Sequence, residues 1–292
     1  DGAIHDVALT TTADGWLVAL AVAPHIELVH LSADGRELGP RERIRDARTP
    51  RFAADPQAPA APLLTWVAAS TGAVHSGGIA PRGASRPPVR LFERTVEPNF
   101  AGQVAIAVGE FLVARRAARG VEVVRVSARG DVRARHADVG GSTEYPTLVR
   151  CDDGPRMIWS NFASRGEIRW ARLDDSGALV GPEIRLSGVP DHFNHSPAIC
   201  DGVDTLVLLA GYTGGTGLSK SLDLVRVDAE GAIVSDRLRV YDGAAGVAYD
   251  PTMRRDGDAL VAAWGVRGSA EIALARVDLR SAGTREGPTI AR

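Results

Sequence analysis

Side chains that transfer protons or bind charged groups recur at one place in the sequence, the start of the strand that opens each of six repeats. Counting back from a recurring tryptophan position gives one set of six residues, and the residues that follow them give a second set. The first set is His5, Arg51, Ala101, Glu144, His195 and Tyr249, and the second is Asp6, Phe52, Gly102, Tyr145, Ser196 and Asp250. Histidines and carboxylates are common general acids and bases, and arginine binds carboxylates and phosphates through its planar fork. These positions are therefore the first candidates for a functional site.

If the protein is an enzyme, these side chains suit a lyase or a hydrolase. One histidine would act as the base or bind a metal ion, and a carboxylate would orient it or act as the acid. Arg51 would bind an anionic group of the substrate, and Tyr145 would exchange a proton or form one wall of the site. Such a set also suits β-elimination from a uronic-acid polymer, because an arginine that neutralises the carboxylate acidifies the adjacent C–H. The candidate catalytic residues are His195, His5, Glu144, Tyr145 and Arg51.

A ligand-binding site without catalysis would use the same end of the repeats. The candidate ligand contacts are Asp6, Asp250, Tyr249, His192, Asn194, Asn161 and Tyr212. Asn161 and Tyr212 belong to two loops that would form a rim. His192 and His195 have a spacing that suits zinc, and a divalent metal is therefore a candidate cofactor, but no third ligand lies nearby in the sequence. The alternative is that these polar residues only hydrate a water-filled channel and cap the ends of strands.

The elements that position these residues are short strands in tandem repeats. Runs of alternating apolar and polar residues each precede a glycine, as Val121–Val126 precedes Gly130. The six glycines are Gly35, Gly83, Gly130, Gly177, Gly231 and Gly283, at intervals of 48, 47, 47, 54 and 52 residues. The alternation predicts strands with two different faces, and the glycine predicts a hairpin turn with a positive φ. Each repeat is therefore expected to contain four strands.

Three tryptophans, Trp66, Trp159 and Trp264, recur at the end of the second strand of a repeat. We expect them to fill the layers between neighbouring sheets, and stacking on a sugar is the alternative. The pattern of Pro-x-apolar, Asp-Gly, an apolar run to Trp and a glycine turn resembles that of bacterial six-bladed β-propellers. The resemblance spans the whole chain but identifies no single family. It implies an all-β domain with four antiparallel strands per blade, in blades near residues 5–46, 48–96, 97–141, 142–190, 191–243 and 244–292, the last ending in a strand at Thr289–Arg292.

Composition argues against several classes of function. The 292 residues carry a net charge of −2, so no sequence-wide basic field favours nucleic acid. No apolar run reaches the roughly 18 residues that a membrane span needs. The chain begins at Asp1 without Met, which fits a trimmed bacterial protein, and export is one explanation. Cys151 and Cys200 fall near corresponding places in adjacent repeats; two buried free thiols are the expectation, and a bridge between blades is the alternative.

Together, these features predict a monomeric propeller that binds a small or oligomeric polar ligand, of carbohydrate or peptide-like chemistry, at the mouth of its channel. A lyase or hydrolase that uses the same side chains is the alternative. A second alternative is a protein-interaction scaffold without catalysis, which predicts an exposed apolar or aromatic patch on the surface.

Overall fold

A computed structural model describes residues 4–54, 62–78, 88–93, 101–117, 119–139, 143–161, 167–187, 196–211, 221–242, 248–266 and 272–279. Over these residues the chain contains no helix, and its 23 strands form six antiparallel sheets of consecutive strands. Accordingly, no membrane-spanning helix is found in these ranges. The prediction of an all-β fold with six repeated sheets is confirmed. The chain divides into two compact units: unit 1 is Asp1–Ala118, Glu122–Val139 and Asp175–Ala178, and unit 2 is Arg119–Val121, Gly140–Asp174 and Leu179–Arg292.

Unit 1 contains the first three sheets, apart from the first two residues of β11, and each sheet has four strands in chain order. The first sheet is β1 (Ile4–Thr12), β2 (Gly15–Val22), β3 (His25–Ser32) and β4 (Glu42–Arg45). The second sheet is β5 (Ala47–Ala53), β6 (Leu63–Ala68), β7 (Val74–Gly78) and β8 (Val89–Phe92). The third sheet is β9 (Ala101–Ala107), β10 (Glu110–Ala117), β11 (Gly120–Ser127) and β12 (Val132–Val139).

Unit 2 contains the other three sheets. The fourth is β13 (Thr143–Cys151), β14 (Gly154–Asn161), β15 (Glu167–Leu173) and β16 (Leu179–Arg185), and the fifth is β17 (Ala198–Asp201), β18 (Asp204–Gly211), β19 (Ser221–Val227) and β20 (Leu238–Tyr241). The described part of the sixth is β21 (Ala248–Asp256), β22 (Ala259–Val266) and β23 (Ile272–Asp278). The strand predicted at Thr289–Arg292 lies outside the described residues. To within one residue the strands fall in the predicted blade ranges, and their assignment to one domain stays a prediction.

The hydrophobic core lies between the faces of neighbouring sheets. Every residue of β6 and β14 is buried, which explains why these second strands are continuous apolar runs instead of alternating ones. In unit 2 one core cluster joins residues of all three sheets, including Trp170 and Trp264. The recurring Trp66, Trp159 and Trp264 are only 6%, 1% and 4% exposed. Their predicted packing role is confirmed, and the alternative of stacking on a sugar is wrong because the rings are enclosed by protein.

The glycine turns between third and fourth strands occur as predicted. The φ angles at Gly35, Gly130, Gly177 and Gly231 are +85°, +88°, +95° and +91°, whereas Gly83 and Gly283 lie outside the described residues. A Cβ added at Gly231 would lie 2.7 Å from Cγ1 of Ile184 and 2.9 Å from the ring of Trp170, both in the preceding sheet. Glycine is needed at this turn for its backbone conformation and for the close contact with that sheet.

Three of the first strands contain a β-bulge formed by a residue and the proline that follows it. In β5, β13 and β21, two residues oppose a single tryptophan; the pairs are Thr49–Pro50 opposite Trp66, Tyr145–Pro146 opposite Trp159 and Asp250–Pro251 opposite Trp264. Proline has no backbone N–H to donate, and it is tolerated there because the bulge interrupts the ladder of hydrogen bonds. The φ angles of Thr49 and Tyr145 are +55° and +54°, which is uncommon for residues with a Cβ.

Cys151 and Cys200 form a disulfide between β13 and β17, with their Cα atoms 5.1 Å apart. The expectation of two buried free thiols is therefore wrong, and the alternative of a bridge between blades is confirmed. The reason is that the first strands of adjacent sheets run side by side in unit 2, so cysteines at nearly corresponding places fall within the distance that a disulfide requires.

Two clusters of ion pairs hold the turns between first and second strands in unit 2. Asp201 accepts hydrogen bonds from Arg226 at 2.7 Å and from Arg255, in the next sheet, at 2.6 Å. Burial acts to raise the pKa of Asp201, but the hydrogen bonds and charges of the two guanidinium groups outweigh it and hold the pKa below its usual value. In the second cluster the fully buried guanidinium of Arg156 donates from one nitrogen to both carboxylate oxygens of Asp153, at 2.5 and 2.6 Å.

Candidate functional site

Unit 1 brings together two of the predicted site residues, Asp6 and Arg51. Nη1 of Arg51 donates to Oδ2 of Asp6 at 2.8 Å and to the carbonyl of Pro50 at 2.7 Å. The positive charge of Arg51 is therefore already balanced by a carboxylate, which weakens its predicted role as a clamp for an anionic substrate. His5 is the extra residue of a bulge in β1, and it is exposed.

Arg51 does not occupy the repeat position that the sequence predicted for it. Glu144 and Tyr249 each pair with the residue that follows a tryptophan, whereas Arg51 pairs with Thr65, the residue that precedes one. The second repeat places Arg48 at the shared position. The physical reason is the connection between β5 and β6, which is longer than the tight turns that join β13 to β14 and β21 to β22. Counting back a fixed number of residues from Trp66 therefore reaches Arg51, which lies three residues after the structurally equivalent Arg48.

Unit 1 also contains a buried group of amide and hydroxyl side chains beside Arg51. Thr65, opposite Arg51 in the ladder, donates from Oγ1 to Oε1 of Gln103 at 2.7 Å. Ser76 pairs with Thr65 on the other side and is fully buried. Oγ of Ser76 and Nε2 of Gln103 have no hydrogen-bond partner among the described residues. These polar groups face neither bulk water nor a protein partner, which identifies a polar spot inside unit 1.

In unit 2, four predicted site residues lie at the starts of β13 and β21. Glu144 and Tyr145 begin the bulge of β13, and Tyr249 and Asp250 hold the matching positions of β21. Tyr145 is half-buried, and its backbone has the left-handed conformation described above. Strained backbone of this kind is concentrated at sites that bind ligands or substrates. The bulge therefore makes Tyr145 the most distinctive of the predicted residues in this unit.

Ser196, which lies two residues before the first strand of the fifth sheet, connects to the same region. Its carbonyl accepts a hydrogen bond of 3.1 Å from Oγ1 of Thr147 in β13. The Ser196 side chain is 2% exposed, and its Oγ has no partner within the described part of the chain. The indole Nε1 atoms of Trp159 and Trp264 are also buried without a described partner. Unpaired buried polar groups are rare in proteins, so Ser196 is a candidate contact for a bound polar molecule.

The second strand of the fourth sheet adds two buried polar residues at this end. Ser160 and Asn161, the last residues of β14, are 1% and 8% exposed, and they pair with Glu144 and Thr143 across the ladder. Asn161 was predicted as a ligand contact, whereas Ser160, in the same predicted loop, was not singled out. We call the group formed by Tyr145, Thr147, Ser160, Asn161 and Ser196 the polar edge of unit 2. The ladder between β13 and β14 fixes the backbone of Thr147 and Ser160, and the hydrogen bond from Thr147 holds the carbonyl of Ser196.

Other predicted site residues lie outside the described residues: His192, Asn194, His195 and Tyr212. The candidate zinc pair, His192 and His195, and the candidate base His195 therefore stay predictions. The residues that the structure does describe contain no group of three or more His, Cys, Asp or Glu side chains arranged to hold a metal ion.

Sequence reasoning missed Thr147 and Ser160 as members of this group. Thr147 directly follows Pro146, and Ser160 directly follows Trp159. A proline within a first strand and a tryptophan near the end of a second strand are therefore joint markers of the bulge. Polar residues just after either marker are signals for this end of the sheet.

No protein-family model matches the chain, and no curated protein sequence does either. Many solved structures are similar to it, and three of them illustrate the likeness. They are the hydrazine synthase of Kuenenia stuttgartiensis (TM-score 0.65, 16% identity, 96% of this chain and 80% of that chain), a protein from Lactobacillus plantarum (0.63, 16%, 100% and 86%) and a protein from Bacteroides fragilis described as a 6-phosphogluconolactonase (0.60, 13%, 98% and 82%).

The similarity extends over almost the whole chain and accompanies six antiparallel sheets of consecutive strands. The chain is a six-bladed β-propeller. At these low identities the likeness concerns the propeller fold alone, and the activities in the names of the similar proteins belong to those proteins. The function of this propeller must therefore be argued from its own side chains.

Proposed function

We propose that this β-propeller binds a polar, hydroxyl-rich ligand, small or oligomeric, of carbohydrate or peptide-like chemistry, at the polar edge of unit 2. The single observation that carries the proposal is the hydroxyl of Ser196, which is buried and lacks a partner among the described residues. A buried hydroxyl without a hydrogen bond destabilises the fold by about 1–3 kcal/mol. A ligand or water that bonds to the hydroxyl removes this penalty.

The surroundings of Ser196 favour a ligand that exchanges hydrogen bonds over one that needs a strong charge. Thr147 donates to the carbonyl of Ser196, and Ser160 and Asn161 end the strand paired with β13 with a hydroxyl and an amide, groups that both donate and accept. A neutral sugar or a peptide group exchanges hydrogen bonds of this kind and therefore suits this setting.

The half-buried Tyr145 adds an aromatic side chain at the bulge. Ligand sites in proteins combine apolar or aromatic walls with a few well-placed polar groups that fix orientation. Because the ladder between β13 and β14 fixes the backbone beside the bulge, the site is largely formed before the ligand arrives. Little ordering is then required on binding, which favours affinity.

A direct test is to screen the intact chain against neutral oligosaccharides, uronate oligosaccharides and short peptides, and to measure hits by titration calorimetry. Ser196→Ala should weaken binding about fivefold to tenfold, the effect of losing one hydrogen bond. The same substitution removes an unpaired hydroxyl, so the thermal unfolding temperature should stay unchanged or rise. Thr11→Ala, in an exposed part of β1, is the matched control and should leave affinity unchanged. If no member of the panel binds, or if both variants weaken binding equally, the proposal is wrong.

The catalytic alternative depends on His195, Glu144, Tyr145, His5 and Arg51. It predicts that a bound oligosaccharide or ester is converted to product, with loss of turnover in His195→Gln. An unchanged ligand recovered from the wild-type complex would contradict catalysis while leaving the binding proposal intact.

The scaffold alternative predicts an exposed apolar or aromatic patch. Ile272 and Leu274, on one face of β23, are 75% and 60% exposed. No aromatic residue is among the exposed large apolar side chains in the ranges that the structure covers. The aromatic anchors that concentrate binding energy at protein interfaces are therefore missing from this surface, and the scaffold stays a prediction.

A further inference from the structure

The disulfide between Cys151 and Cys200 uses every cysteine of the chain, since the sequence contains two. Cys151 is 2% exposed, and its sulfur lies 3.7 Å from Oγ1 of Thr205 and 3.6 Å from the carbonyl of Asp204, both in the fifth sheet. Cys200 is half-buried, so the bond lies where the fourth and fifth sheets pack together, with the Cys151 sulfur enclosed. A dithiol that serves in catalysis or redox sensing is accessible and often has a resolving cysteine, so this disulfide has a structural role.

We propose that Cys151 and Cys200 are an oxidative modification site, and that the protein is folded and works in an oxidising compartment outside the reducing cytosol. Structural disulfides form and persist in such compartments and are rare where glutathione and thioredoxin keep thiols reduced. The chain offers no third thiol for reshuffling, so a single correct bond is the only intramolecular product. This inference rests on the disulfide alone and is independent of the ligand site.

The partner that the chemistry requires is a thiol–disulfide oxidoreductase in its oxidised form. A thiolate of one cysteine attacks the partner's disulfide, forming a mixed disulfide and releasing one partner thiolate. The thiolate of the second cysteine then attacks the mixed disulfide, which forms the Cys151–Cys200 bond and releases the partner as a dithiol. The two cysteines together lose two electrons and two protons, and the partner's disulfide gains them. Because Cys151 becomes enclosed by the fifth sheet, the exchange precedes or accompanies the packing of β17 against β13.

The bond closes a long loop, with a sequence separation of 49 residues. Cross-linking a loop of this length lowers the conformational entropy of the unfolded chain and so stabilises the fold. Loss of the bond should therefore raise the unfolding equilibrium constant about a thousandfold. A cytosolic protein would lose this stabilisation permanently. The presence of the bond at a packed junction is therefore expected only where an oxidant maintains it.

The experiment is thiol trapping in the cells that naturally make the protein. Cells are quenched with acid, alkylated with a maleimide polymer and separated into cytosolic and extracytosolic fractions before immunoblotting. We expect the chain in the extracytosolic fraction, with no mass added before reduction and two polymer masses added after reduction. A cytosolic chain, or one that takes up two polymer masses without reduction, would overturn the proposal.

A variant set separates the role of the bond from a general packing defect. In urea unfolding, the double variant Cys151→Ser and Cys200→Ser should have an unfolding equilibrium constant about a thousandfold larger than that of the oxidised wild type. The reduced wild type, which keeps both side chains, should match the double variant. If the reduced wild type is as stable as the oxidised protein, the bond is not a stabilising modification and the inference fails. This comparison needs only purified protein, so it stands even if a serine variant does not accumulate.

Discussion

The turn at Gly231 allows the packing between neighbouring sheets to be tested with a matched pair of substitutions. Gly231 and Gly35 occupy equivalent turns, with φ of +91° and +85°, and each N–H bonds to a carbonyl three residues earlier. An added Cβ at Gly231 would lie 2.7 Å from Ile184 and 2.9 Å from Trp170, whereas at Gly35 it would meet no atom within 4 Å. Comparing Gly231→Ala with Gly35→Ala therefore separates the steric contact from the backbone cost.

The expected magnitudes follow from these distances. A left-handed conformation costs an alanine roughly 1–2 kcal/mol, offset by about 0.5–1 kcal/mol because alanine restricts the unfolded chain. Gly35→Ala should therefore lose about 1 kcal/mol or less. At Gly231 the new methyl group overlaps the buried Trp170 and the partly buried Ile184 by nearly 1 Å, relative to ordinary contacts of about 3.5–4.0 Å. Overpacking of this kind adds about 1–3 kcal/mol, so Gly231→Ala should lose about 2–4 kcal/mol.

The measurement is urea unfolding followed by tryptophan fluorescence and circular dichroism on both variants and the wild type. A third variant, Gly177→Ala, repeats the test in another turn, because its Cβ would lie 2.7 Å from Val123. We expect Gly177→Ala to resemble Gly231→Ala. Equal losses in the free energy of unfolding for Gly35→Ala and Gly231→Ala would show that the backbone conformation alone selects glycine. The claim of close packing between turn and sheet would then be refuted.

Two further predictions concern the ion pairs of unit 2. The pKa of Asp201 is held below its usual value by Arg226 and Arg255, so its charge stabilises the fold above the pKa of the unfolded chain and the contribution is lost as pH falls through the folded pKa. Asp201→Asn should therefore be less stable than wild type at pH 7, and the gap in melting temperature should close below about pH 4; a gap that is constant with pH would contradict this. Asp153→Asn leaves the fully buried guanidinium of Arg156 without its carboxylate and should cost about 3 kcal/mol in urea unfolding, at the low end for buried pairs because Asp153 is partly exposed. A loss below about 1 kcal/mol would show that backbone carbonyls suffice for Arg156.

The sheets and turns of this propeller could be predicted from the sequence because their causes are local. Alternating side chains specify strands, and glycine is the residue that adopts the positive φ of the turn at Gly35, Gly130 and Gly231 without strain. The burial of Trp66, Trp159 and Trp264 follows from the apolar runs that end with them. These features need no knowledge of how distant parts of the chain meet.

The candidate site was harder to predict because it depends on register. Arg51 was placed by counting back from Trp66, but the longer connection after β5 moves the true equivalent to Arg48. The ion pair of Arg51 with Asp6 joins two sheets, so a residue count within one repeat cannot show it. The bond between Cys151 and Cys200 likewise depends on which strands of different sheets lie side by side.

The proline bulge opposite a tryptophan has an implication for how the ring evolved and how it should be engineered. It occurs in the second, fourth and sixth sheets, with Pro50, Pro146 and Pro251 separated by 96 and 105 residues. The three odd-numbered sheets have no tryptophan opposite a proline in the residues described for them. In the described residues, sheets with this proline bulge therefore alternate with sheets without it, as expected if an ancestral gene encoding two blades was triplicated. A consensus sequence averaged over all six copies would blend incompatible templates, so odd and even copies should be averaged separately.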